Sequence, residues 1–131
     1  MPPAMTEHFL IQVDVPRALV RITMSGFFDA AAIARFVAAR DAAHALLTCG
    51  ANAHVTLVDI REMDIQAQGS VAEFRAVLAD PRHASRRLAF VVARSLARSQ
   101  IRRAAADRAA CYFETVEQAE AWLLGAESAA A

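Results

Sequence analysis

The sequence predicts an α/β domain: an opening hairpin, then a mainly parallel five-stranded sheet, in the order β-β-α-β-α-β-α-β-α. Three observations point there. Two short runs rich in β-branched residues, 9–15 and 19–24, are joined by a tight link, so they pair antiparallel. Two later runs, 55–60 and 88–93, are apolar almost without alternation, which suits strands buried on both faces. Stretches with helical spacing and helix-start signals follow or separate these runs. Strands that alternate with helices imply parallel pairing through right-handed crossovers.

The elements follow in order. Phe9 to Val15 reads as the first strand, Pro16 and Arg17 as the turn, and Leu19 to Met24 as the second strand. Gly26 ends the hairpin. Asp29 is expected to cap a helix reaching about Leu47, with Ile33, Phe36, Val37, Arg40, His44 and Leu47 near helical spacing. Gly50 and Asn52 read as its stop signals. Val55 to Ile60 is the third strand, followed by a loop from Arg61 to Gly69. Ser70 and Glu73 form a capping-box pattern for a second helix, which carries Val71, Phe74, Val77 and Leu78 and stops before Pro81. Leu88 to Ala93 is the fourth strand. Ser95 is expected to start a helix running to about Arg108. Cys111 to Phe113 is a short fifth strand. Thr115 and Gln118 form a second capping box, leading into Ala119, Trp122 and Leu123.

The 131 residues suit one domain, with an ordered core expected over about 8–124. The 56% hydrophobic content is inflated by alanine. Lys+Arg and Asp+Glu are each 14, so the formal net charge is zero. A strongly basic nucleic-acid binder is disfavoured as a whole-chain reading, and a disordered chain is excluded. All the basic residues are arginine, a bias that fits a GC-rich bacterial genome. Cys49 and Cys111 match neither a disulfide framework nor a zinc spacing. His8, His44, His54 and His83 are scattered without metal-ligand spacing, so no metal is expected. Four glycines cannot write a phosphate-cradling loop, and no cofactor is expected. The N-terminus has no secretory pattern, and no apolar run approaches the length of a membrane span. The expectation is a cytoplasmic protein.

Several segments carry a family resemblance. Leu88-Ala89-Phe90-Val91-Val92, then Tyr112-Phe113-Glu114-Thr115, then Glu117-Gln118-Ala119-Glu120-Ala121-Trp122-Leu123 resemble the closing strand-helix-strand-helix of the SpoIIAA-like group of the STAS and Sec14-related fold. Leu57-Val58-Asp59-Ile60-Arg61 looks like that group's central strand, and Gly26 like its glycine before the first helix. The resemblance covers about residues 9–124. It implies a β/α superhelix with helices chiefly on one face, and a small regulatory or protein-interaction module that is not an enzyme. It leaves a lipid-like ligand as the alternative. Anti-sigma-factor antagonists of this fold carry paired serines after the central strand. This chain has Asp64-Ile65-Gln66-Ala67-Gln68-Gly69-Ser70 there, without the pair.

Four candidate sites emerge. Ser70 is a candidate phosphoacceptor, although the capping box with Glu73 is the preferred explanation. Arg94, Ser95, Arg98 and Arg102 surround a helix start at the carboxyl edge of the sheet, where open α/β domains bind anions and amphipathic ligands. A solvated helix face balanced by Glu114, Glu117 and Glu120 explains those arginines as well. Asp59 and Arg61 lie toward the same edge, and a raised pKa would make Asp59 a base. The bland alternative is a carboxylate accepting loop amides. Phe27 and Phe28 are candidate partner or lipid contacts, or a hydrophobic staple under the first helix. A protein partner or a second copy of the chain is expected, and DNA is not, because no helix-turn-helix or zinc pattern accompanies the arginines.

Overall fold

The computed structural model describes residues 8–64, 66–93, 96–105 and 109–130. Strand β1 (His8–Asp14) and β2 (Leu19–Gly26) form the hairpin, with Ala18 in the left-handed region at φ 51°. Helix α1 (Ala30–His44) leads to β3 (Val55–Met63), and α2 (Gln68–Ala79) to β4 (Arg87–Val91). Helix α3 (Leu96–Ala104), β5 (Cys111–Phe113) and α4 (Val116–Ala130) complete the chain. The strand order is β1-β2-β3-β4-β5, antiparallel at the first pair and parallel thereafter. No described helix is long and apolar enough to cross a membrane.

Two cores follow from the period of two along a strand. Val20, Ile22, Met24, Val58, Ile60, Leu88 and Phe90 face α1, α2 and α3, where they meet Ile33, Phe36 and Phe74. Leu19, Val55, Leu57, Ala89 and Val91 face the other way, beneath Ala119 and Leu123 of α4. Three helices therefore share one face and the fourth covers the other. A register shift between Thr23 and Ser25 puts an extra residue into β3. The bulge resets the alternation, so Ile60 and Met63, three apart, can both line the α1–α2 side.

Several local expectations are corrected. Helix α1 stops at His44 rather than Leu47, because Leu46 and Leu47 turn back to the carbonyls of Ala43 and His44. Asn52, at φ 61°, instead pins the next loop: its side-chain amide donates to the carbonyls of Pro81 and Ala84 at 3.0 and 2.6 Å. Strand β3 runs three residues further than expected, to Met63, so Asp59 lies four residues before the strand's end rather than one and Arg61 lies within the strand. Helix α2 starts at Gln68, so Ser70 lies inside it and not at its cap; Ala67 occupies the cap without a side-chain bond. Helix α3 ends at Ala104 rather than Arg108. Asp29 and Thr115 do cap their helices, accepting from the N–H of Ala32 at 2.8 Å and of Gln118 at 3.1 Å.

Candidate functional site

A cavity of about 80 Å³ lies between the sheet and helices α1 and α2. Ile22, Met24, Val58, Leu88 and Phe90 form its sheet wall, and Phe36, Phe74 and Leu78 its helix wall. Those apolar walls follow from strand alternation and from the inward stripes of the two helices. One end is polar. Arg40 and His44 reach it from the last turns of α1, Thr56 from the start of β3, and Asp80, His83 and Ser85 from the α2–β4 connection. Helix α1 runs antiparallel to the strands it joins, so its C-terminus delivers these groups to the amino edge of the parallel strands.

Three of the four histidines converge there. The His44 ring lies 4.6 Å from that of His54 and 5.6 Å from that of His83, centroid to centroid. Their sequence positions carry no metal spacing, and only the packing of α1 against two loops joins them. Among the described residues no group of three or more ligating side chains is placed to hold a metal ion. Arg40 is 9% exposed. Its Nε and Nη2 donate to Asp41 Oδ1 at 3.3 and 3.2 Å, and His83 Nε2 lies 3.6 Å from the same oxygen.

Burial, together with His54, Arg40 and His83, pushes the His44 pKa down to about 4, against the opposing pull of Asp41. The unfolded chain therefore binds a proton at His44 before the folded chain does. Stability is expected to fall as the pH drops from about 6.5 toward 4, by about 1–2 kcal/mol after discounting for partial exposure. Urea titrations at pH 7 and pH 4.5 check this. His44→Asn should remove that part of the loss; an unchanged acid limb would show that His44 is not its source.

At the carboxyl edge Asp59 accepts a backbone amide and is paired with Arg61. Asp59 Oδ1 accepts from the N–H and Nε of Arg61 at 3.2 and 3.0 Å, and Oδ2 from Arg61 Nη2 at 2.7 Å. Burial works to raise the Asp59 pKa, but these bonds and the Arg61 charge outweigh it and hold the carboxyl below its ordinary value. That is the opposite of what a general base at neutral pH requires. Arg102 lies over the Tyr112 ring, 4.3 Å from its centroid. Arg94 and Ser95 lie outside the described residues, as does the side chain of Arg98. Glu120 pairs with Arg21 of β2 at 2.7 Å.

The two phenylalanines separate. Phe27 is 40% exposed, whereas Phe28 is fully buried and packs edge-to-face on Phe74 at 5.7 Å. Phe28 is therefore a core residue and offers no surface contact. Ser70 is also buried, and its Oγ donates to the Phe28 carbonyl at 2.6 Å.

The sequence reading missed Gln66. Its Oε1 accepts from the Phe28 N–H at 2.7 Å, and its Nε2 donates to the carbonyls of Gly26 and Asp64 at 3.0 and 2.5 Å. Its own carbonyl accepts from Gln100 Nε2 at 2.7 Å, which ties α3 to the β3–α2 loop. A glutamine in a polar loop carries no local signal of such a role.

A β-hairpin continued by parallel strands in sequential order, with three helices on one face of the sheet, is the SpoIIAA-like fold. The solved structures agree. An anti-sigma factor antagonist from Mycobacterium paratuberculosis matches at TM-score 0.63 and 14% identity, over 90% of this chain and 94% of that one. An uncharacterised DUF3478-family protein with a SpoIIAA-like fold, from Shewanella loihica PV-4, matches at TM-score 0.68 and 16% identity, over 90% of this chain and 95% of that one. No family model and no curated protein matches the chain.

Proposed function

We propose that this chain is a non-enzymatic, STAS-like regulatory module that acts by binding, with a small apolar ligand as its input and a protein partner as its output. The observation that carries the reading is the cavity between the sheet and α1–α2, apolar along its length and polar at one end. The polar end of this cavity lies toward the amino edge of the parallel strands, whereas the sequence pointed to the carboxyl edge. The protein-partner half is supported by likeness of fold to an anti-sigma factor antagonist, which is an analogy and not a site. The non-catalytic half is supported by Asp59, which Arg61 holds ionised. A phosphoserine switch at Ser70 would have to break the bond to Phe28 and open the start of α2 before a kinase could reach the hydroxyl.

Native mass spectrometry of protein purified from its own host, without detergent, tests this reading. A reproducible extra mass is expected in the wild type and is expected to disappear in Val77→Trp, which fills the cavity from α2. A clean polypeptide mass, with no ligand shifting the melting temperature, would overturn the ligand half. The same spectrum reports whether the chain self-associates. An added 80 Da, about one phosphate, would revive Ser70 as the switch.

A further inference from the structure

We propose that the cavity takes a short-chain carboxylic acid, with its carboxylate among Arg40, His44 and His83 and its tail against Val58, Phe74 and Phe90. This rests on the cavity reading above and goes beyond it by assigning the head group, its partners and a coupled proton.

Size sets the first limit. One water needs roughly 10–15 Å³ of such space, so a cavity of about 80 Å³ holds about five to eight heavy atoms. That is the size of an acid of about three to six carbons, and too small for a diacyl lipid. Apolar walls with a few convergent polar groups at one end select an amphipathic molecule over a polar one.

Charge sets the sign of the head group. The titratable groups at the polar end are Arg40, Asp41 and His44 from α1, His54 from the α1–β3 loop, and Asp80, Arg82 and His83 from the α2–β4 connection. Asp80 is already held by Arg82, whose Nε and Nη2 donate to its two oxygens at 3.2 and 3.0 Å. Asp41 is partly exposed and offers one oxygen to Arg40 and His83 together. Arg40 is a buried, permanent cation that lines this apolar space, and among the described residues its guanidinium is hydrogen-bonded to the partly exposed Asp41. A carboxylate entering from the cavity supplies a second anion on the cavity side.

The same placement couples binding to a proton. Burial, with His54, Arg40 and His83 beside it, holds the His44 pKa at about 4, so the ring is neutral from about pH 5.5 upward. A carboxylate beside it reverses that balance, so His44 takes up a proton as the acid binds. Affinity then rises as the pH falls, by up to about ten-fold between pH 7.5 and 5.5 if His44 regains its ordinary pKa. A free carboxylic acid loses charge over that range, so a simple anion site would show the opposite trend.

Isothermal titration of the full chain with hexanoate and with 1-hexanol separates the outcomes. Hexanoate is expected to bind at least ten-fold tighter than hexanol at pH 5.5. It should weaken toward pH 7.5 and take up protons, read from two buffers of different protonation enthalpy. His44→Asn should still bind hexanoate but lose the proton uptake. Arg40→Met should lose at least ten-fold, and Arg40→Lys should recover part of it. Hexanol binding as tightly as hexanoate would overturn the carboxylate assignment and leave the cavity reading standing. Hexanoate binding without proton uptake would overturn the placement beside His44. Silence from both probes would overturn the proposal and the cavity reading together.

Discussion

Phe28→Ala is expected to cost about 3–5 kcal/mol of folding stability, the range for removing a large aromatic from a packed core. The ring is fully buried and sits at the junction of β2, α1 and α2, against Phe74. Its backbone is pinned on both sides, by Gln66 at the N–H and by Ser70 at the carbonyl. The main chain therefore cannot move in to fill the space, which is the condition for the upper part of the range. Domains of this size hold about 5–15 kcal/mol in total, so the variant should lie near the edge of folding. A urea titration measures it. A loss below about 1 kcal/mol would mean that the site collapses freely and that the two hydrogen bonds do not hold it open.

Gln66→Leu should be nearly as damaging, by a different mechanism. The substitution keeps the volume but strands the Phe28 N–H and removes a donor from the Gly26 and Asp64 carbonyls. An unsatisfied buried group costs about 1–3 kcal/mol, so a total loss of about 3–5 kcal/mol is expected. Hydrogen exchange at the Phe28 amide provides the specific readout. Its protection should fall further than that of amides in β3 and β4. Uniform loss of protection would point to general loosening and away from the clamp. Gln66→Glu keeps the acceptor and should preserve the Phe28 bond while losing those to the two carbonyls.

The fold was legible because its signals are periodic and repeated. Continuous apolar runs at β3 and β4, and caps at Asp29 and Thr115, mark elements by local chemistry. The capping box at Ser70 misled because the pattern satisfies two geometries, and the carbonyl of Phe28, 42 residues away, wins the hydroxyl. The site was poorly legible. Arg40 and His44 read only as members of a helical stripe, and His54 and His83 as isolated loop residues, because their meeting is made by tertiary packing. The expectation of a carboxyl-edge site borrowed a rule for sheets whose strand order reverses, which opens a crevice at the switch point. Here the order never reverses. Successive right-handed crossovers then stack their helices on one face, and the available space lies beneath those helices.

That unreversed order also bears on how the chain is made. Each new strand joins the outer edge of the one before it, and none has to be wedged between two that are already paired. A nascent chain leaving the ribosome from its N-terminus can lay down the sheet in the order of synthesis, with each β/α unit docking on a finished neighbour. Until β5 and α4 emerge, the α4 side of β3 and β4 stays bare, with Val55, Leu57, Ala89 and Val91 uncovered. Because β5 and α4 are translated after the strands they cover, they act as a late cover for the sheet, and the interval before they emerge is when the polypeptide is most prone to stick to its neighbours.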